Sequence, residues 1–189
     1  MDYRGYVNDL AAALSAIPVS EIDAVRTTLE SAFSEGRTVF VAGNGGSAAT
    51  ASHMACDFQK TTLAKEHHRI SRRIRCIALS DNMPLITAWG NDVHYDEIFG
   101  QQLRNLANPG DVLLVITASG NSPNILNALQ AARELGVKSV GFLGFEGGKA
   151  KAICDQCIVV QSSDYGIVED GHSVLMHMVT AALRATVLG

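Results

Sequence analysis

The stretch Val39–Thr62, VFVAGNGGSAATASHMACDFQKTT, decides how the rest of the chain is read. It opens on an apolar, β-branched run that ends at Val41-Ala42, the pattern of a buried strand bounded by glycine. Gly43-Asn44-Gly45-Gly46-Ser47 follows as a turn whose glycines permit positive φ and let a ligand come close to the backbone. A helix is then expected over 47–60, with Ser47 as its N-cap. A strand that feeds a glycine-rich turn into a helix N-terminus exposes unpaired N–H groups at a positive dipole end, which together suit an anion such as phosphate. An ordinary capped turn would use the same residues.

On that helix His53 and Asp57 stand four apart and so share one face. The pair suits a metal ion or acid–base work, and equally a solvated helix contact.

An echo of the motif lies at 112–126, VLLVITASGNSPNIL. An apolar strand again meets a small-residue turn, Thr117-Ala118-Ser119-Gly120-Asn121-Ser122, and again opens a helix, with Ser122 as N-cap and Pro123 at the first helical position. Thr117, Ser119 and Ser122 offer three hydroxyls, more than one cap uses. Together with Ser47 and the glycine backbone at Gly45 they form the expected phosphate-binding set. Neutral hydroxyls and amides suit a small monophosphate; the sequence has no G-K-[ST] of a P-loop, and Ala48 stands where a dinucleotide fingerprint has its last glycine.

From Arg37 onward the pattern alternates strand and helix. Strands are expected at 37–42, 74–79, 111–117, 138–143 and 157–161, and helices at 47–60, 83–90, 93–107, 122–135, 147–153 and 167–187. Such alternation implies a largely parallel sheet covered on both faces, with ligands beyond the carboxyl ends of the strands where strand order switches. Two helices precede it, at 2–15 and 20–35, separated by Pro18, the second beginning at a Ser20/Asp23 cap. We expect one domain over 1–189, made of N-terminal helices over 1–36 and an α/β sandwich over 37–189.

The last helix carries Glu169, Asp170, His172 and His177 among apolar residues. Glu169 and His177 are eight apart, about 12 Å along a helix, so a single ion would reach both only in a site shared across an interface, or would use the closer Glu169/His172 pair. The segment 60–75, with six Lys and Arg and two His, reads as a solvated loop or as a cationic rim for an anionic substrate. Asn91 and Asp92 read as turn and cap residues.

Composition sets the outer bounds. The 189 residues are 47% hydrophobic and 18% charged with a net charge of −4, a balance that gives one core and no global field for nucleic acid. The sequence has no membrane-length apolar run and its first residues lack a signal-peptide pattern, so the expected location is cytoplasmic, with no membrane partner. Four cysteines lie in or beside apolar segments, and Cys154-Asp155-Gln156-Cys157 leads into a strand rather than opening a helix, so reduced core thiols are expected.

With GNGGSA and SGNS in this order, and with ALSDNMPLITAWGNDVHYDEIFGQQL between them, the chain resembles the sugar isomerase (SIS) domain family and, within it, the phosphoheptose isomerases acting on sedoheptulose 7-phosphate. The resemblance implies a three-layer α/β/α sandwich with a five-stranded parallel sheet, flavodoxin-like, and a homotetramer with sites between subunits. It implies sugar-phosphate binding by Ser47, Thr117, Ser119 and Ser122 with Asn44 beside them, and one zinc ion per site, held at positions that are here His53, Asp57, Glu169 and His177, with Asp57 and His177 as the acid–base pair. Here Asp57 stands for a usual Glu, Glu169 for an amide, Gly166 for an Asp and Thr61 for an Arg. The implied activity is aldose–ketose isomerisation through an enediol; the competing readings are a non-catalytic sugar-phosphate regulator or adaptor, or a lyase on the same fold.

Overall fold

In a computed structural model, which describes residues 2–63 and 65–189, the five expected strands form one parallel sheet in the order β2-β1-β3-β4-β5. They span Thr38–Gly43 (β1), Arg75–Ala78 (β2), Val112–Thr117 (β3), Lys138–Gly144 (β4) and Gln156–Val160 (β5). The order reverses direction between β1 and β3, which are neighbours in register from Val39↔Val112 to Gly43↔Ile116. This is the switch point of a doubly wound sheet, and both motif turns leave the sheet there.

Alternation along the central strands sends side chains into two cores. Val39, Val41, Val112, Leu114, Ile116 and Phe142 face one side, where they meet helices α1 (Tyr3–Ser15), α2 (Val19–Glu35), α3 (Gly46–Gln59) and α8 (Tyr165–Leu188). Phe40, Ala42, Leu113, Val115 and Leu143 face the other, covered mainly by α5 (Gly100–Leu106), α6 (Pro123–Glu134) and α7 (Ala150–Ile153). Between β2 and α5 runs α4 (Met83–Asp92), which has apolar residues but none that is buried. Among the described residues no helix is long and apolar enough to cross a membrane.

Several boundaries differ from expectation for identifiable reasons. The helix expected at 93–107 is broken: His94 caps a single 3₁₀ turn at Tyr95–Glu97, and α5 begins only at Gly100. The helix expected at 147–153 starts at Ala150, because Gly147 and Gly148 hold φ of 89° and 54°. Helix α2 begins at Val19 behind Pro18 with no side-chain cap, so Ser20 and Asp23 do not form its start. Helix α8 begins two residues earlier than expected, since the Asp164 carboxylate accepts from the Gly166 and Ile167 amides. The segment 60–75 is an irregular connection with a 3₁₀ turn at Thr61–Leu63; Ala64 within it lies outside the described residues.

All four cysteines are free. Burial pushes the Cys76 and Cys154 thiols up to about 12 and raises that of Cys157, which suits inert, protonated groups. Cys56 departs from the expectation of a core thiol: it lies exposed on α3.

Candidate functional site

The first turn is tight enough to require glycine at two positions. A Cβ on residue 43 would lie 2.6 Å from the backbone carbonyl group of Ser47, and Gly45 holds φ 54°, ψ −122°. Gly45, not Ser47, is the N-cap of α3; Ser47 is the second helical residue and is buried. The first amides to be bonded are those of Ala48 and Ala49, which donate to the Asn44 and Gly45 carbonyls. The Gly46 and Ser47 amides find no partner among the described residues, so the N-terminal donors of α3 stand open at the switch point.

The second turn supplies hydroxyls. Thr117 Oγ1 accepts from the Gly120 amide at 3.3 Å and Ser119 Oγ from the Asn121 amide at 3.3 Å, so each hydroxyl keeps its own proton to donate elsewhere. Ser122 occupies the N-cap of α6 as expected but makes no capping bond, and its hydroxyl has no partner among the described residues. Asn44, Ser47, Thr117, Ser119 and Ser122 line one cavity of about 190 Å³, together with Tyr165 and Glu169 from α8. Hollows of about 600 and 710 Å³ lie at the opposite end of the strands, beside Lys138 and Gln156, where neither motif reaches.

Further along α3 and α8 a second group assembles. His53 Nε2 lies 3.7 Å and His177 Nε2 3.9 Å from the same oxygen, Asp57 Oδ2, and the two imidazoles meet edge to face with centroids 5.1 Å apart. The other oxygen, Asp57 Oδ1, accepts from Thr61 Oγ1 at 2.8 Å. One donor atom from each of His53, Asp57 and His177 falls within 4.8 Å of the others. Two imidazoles and a carboxylate fit the ligand set of an open zinc site, with room for a further ligand. The carboxylate is nearly buried, whereas both imidazole side chains are about half exposed.

The structure does not bring Glu169 to that group. Its carboxylate lies against Gly46, where an added Cβ would stand 2.8 Å from Oε2, so it faces the first turn and the cavity rather than the histidines. The Glu169/His172 pairing fails as well. His172 points into the core against Phe142 and neither ring nitrogen has a partner among the described residues. Asn91 and Asp92 hydrogen-bond to each other at the end of α4, on the surface.

Five contributors escape the sequence reading. Thr61, four residues beyond Asp57, falls on its helical face and could be found by that spacing. Asp164, immediately before α8, carried the signal of an N-cap. Tyr165, which follows it, and the pair Asn124/Tyr95, which holds Asn44, had no local signal, since their roles depend on contacts between distant segments.

A parallel, doubly wound sheet with two glycine- and hydroxyl-bearing turns meeting at its switch point defines the class of protein: an α/β sandwich whose site opens beyond the carboxyl ends of β1 and β3. The particular family follows from comparison. The SIS domain model matches residues 2–144, and the chain belongs to that family. It is 41% identical over 151 residues to the phosphoheptose isomerase of Pelobacter propionicus, covering 80% of this chain and 77% of the relative. To the phosphoheptose isomerase of Trichlorobacter lovleyi it is 36% identical over all 189 residues, 91% of the relative. The solved structure of a phosphoheptose isomerase from Francisella tularensis superposes with a TM-score of 0.89 at 28% identity, covering 97% of this chain and 94% of that one.

Proposed function

We propose that this chain is a phosphosugar isomerase that interconverts an aldose and a ketose phosphate, with sedoheptulose 7-phosphate or a close analogue as the ketose. The observation that carries the reading is the spacing of the two groups on α3 and α8. Ser47 and His53 are six residues apart, about 9 Å along the helix axis, and seven extended carbons joined by bonds of about 1.5 Å cover on the order of 8 Å. A sugar whose phosphate rests on the two turns therefore lays its carbonyl end beside Asp57 and His177.

Binding at the phosphate end uses the open Gly46 and Ser47 amides and the hydroxyls of Ser47, Thr117, Ser119 and Ser122, with Asn44 and Gly45 shaping the turn. No Lys or Arg lines the cavity, so the helix dipole and neutral donors carry the charge. Glu169, an acceptor within the same cavity, is suited to sugar hydroxyls rather than to the phosphate itself.

At the carbonyl end Asp57 takes the proton from the carbon beside the carbonyl, and returns it to the neighbouring carbon when the enediol collapses. His177 carries the hydroxyl proton from one oxygen to the other. Thr61 holds Oδ1 of Asp57, leaving Oδ2 toward the reacting atoms and the imidazoles. Zinc, held by His53, Asp57 and His177, would polarise the carbonyl and offset charge on the enediol oxygens. Glu169 could join that ligand set only if α8 were to move or if a partner subunit supplied it.

The half-exposed imidazoles, exposed Tyr165 and Met178 on α8, and the unburied α4 support assembly into a homotetramer with sites at subunit interfaces. The same reading makes the protein a cytoplasmic one with a single domain over 1–189. Light scattering in solution tests the assembly.

The activity is tested by NMR of sedoheptulose 7-phosphate in D₂O with the zinc-loaded protein. Deuterium should enter beside the carbonyl, zinc should be retained at one per chain, and Asp57→Asn should remove the exchange. Phosphosugar binding without exchange in the zinc-loaded wild type would instead make the chain a non-catalytic regulator.

A further inference from the structure

We propose that Asn124 and Tyr95, neither of which lines the cavity, are positioning residues that fix which group Asn44 presents to the bound anion. The inference rests on the reading of the two turns as a phosphate site. Asn44 and Asn124 form a reciprocal amide pair: Asn44 Nδ2 donates to Asn124 Oδ1 at 2.9 Å, and Asn124 Nδ2 donates to Asn44 Oδ1 at 2.8 Å. The Tyr95 hydroxyl donates to the same Asn44 Oδ1 at 3.3 Å.

The donor and acceptor inventory of a primary amide then decides what is left over. Asn44 Oδ1 has two lone pairs, and both are taken. Asn44 Nδ2 has two hydrogens, and one is taken. A single N–H remains, on a residue that lines the cavity between Ser47 and Thr117. An amide turned the other way would offer a carbonyl oxygen there, which repels a phosphate oxygen. The amide pair is unchanged when both amides turn together, so it is the Tyr95 hydroxyl, donating to Asn44 Oδ1, that selects the donor orientation, while Asn124 holds the amide in place.

The clamp also joins the two halves of the site. Asn44 belongs to the turn after β1, Asn124 is the second residue of α6 behind the turn after β3, and Tyr95 comes from the 3₁₀ turn before α5. Asn124 is only 1% exposed and its bonds to Asn44 span 80 residues of chain. A buried amide whose charge-free bonds go to another mobile-length side chain rather than to backbone fixes the separation of the turns, and with it the distance between the α3 amides and the Ser119 and Ser122 hydroxyls. Tyr95 falls within the helix expected at 93–107 but sits in the 3₁₀ turn that breaks it, and 54% of it is exposed; only its hydroxyl is committed.

The experiment is a titration of the full chain with inorganic phosphate and with sedoheptulose 7-phosphate, by calorimetry and by ¹⁵N NMR of the side-chain amides, on wild type, Asn124→Ala and Tyr95→Phe. Phosphate should shift the Asn44 side-chain amide in the wild type. Asn124→Ala should weaken both ligands about tenfold or more, and Tyr95→Phe about two- to fivefold with a smaller Asn44 shift; KM should rise by more than kcat falls. Should Asn124→Ala fail to fold, Tyr95→Phe decides, because its exposed ring stays in place and loses only the hydroxyl. Wild-type protein that binds neither ligand overturns the reading of the site and this inference with it. Wild-type binding matched by the folded variants, with the Asn44 shift intact, overturns this inference alone.

Discussion

Acidification should destabilise this fold through one residue, His172, by an amount that can be worked out from its surroundings. The ring is 1% exposed, packs on Phe142 with centroids 6.4 Å apart, and has no hydrogen-bond partner for either nitrogen among the described residues. Burial pushes its pKa from 6.5 down to about 4, opposed only in part by the nearby Leu143 backbone, whose contact with the ring falls short of a well-formed hydrogen bond. The neutral ring is therefore the native form. In the unfolded chain the same ring takes up a proton below about pH 6.5, so the contribution is fully present above that pH and is lost progressively down to about pH 4, below which both states are protonated. A difference between 6.5 and about 4 corresponds to roughly 3 kcal/mol.

The measurement is urea unfolding of wild type and His172→Leu at several pH values between 7.5 and 4. Carboxylates add their own acid sensitivity to both proteins, so the difference between them isolates the imidazole. Wild type should lose about 3 kcal/mol more than the variant over this range. At pH 7.5 the variant should lie within about 1 kcal/mol of wild type or above it, since leucine removes two unsatisfied polar atoms from the core. Parallel pH profiles for the two proteins would refute the reasoning, as they would mean that the ring has a partner or a solvated route in solution.

Two further substitutions probe the elements that hold the site. Gly43→Ala places a methyl group 2.6 Å from the Ser47 carbonyl group, so the first turn must open; phosphate affinity should fall at least tenfold by calorimetry, with about 1–3 kcal/mol lost in urea unfolding. Asp164→Ala removes the acceptor for the Gly166 and Ile167 amides at the start of α8, and should cost about 1 kcal/mol, seen as a fall of about 2–4 °C in Tm.

The centre of the sheet was legible in the sequence because β1, β3 and β4 are buried on both faces. Runs such as Val112–Thr117 have six consecutive buried positions, so the signal is a continuous apolar stretch closed by glycine or a small turn. The N-terminal boundary of α8 was not legible from hydrophobicity, because it depends on one carboxylate at Asp164 reaching two amides. The break between α4 and α5 was hidden for a similar reason: His94 caps a turn inside a segment whose periodicity is helical throughout. Local patterns report what a residue buries, and only weakly where a polar atom finds its partner.

The same distinction explains how the candidate site divides. Ser47, Thr117, Ser119 and Ser122 are tied to strand ends that the topology forces together at the switch point, so their convergence could be read from two motifs and a strand order. His53 and Asp57 meet by helical spacing, and His177 joins them because α3 and α8 pack side by side on one face of the sheet. Glu169 is the residue for which spacing along α8 outweighed expectation from family position. Eight residues before His177 it lies about 12 Å up the helix axis, opposite Gly46, and the absence of a side chain at Gly46 is what lets the carboxylate come against the turn.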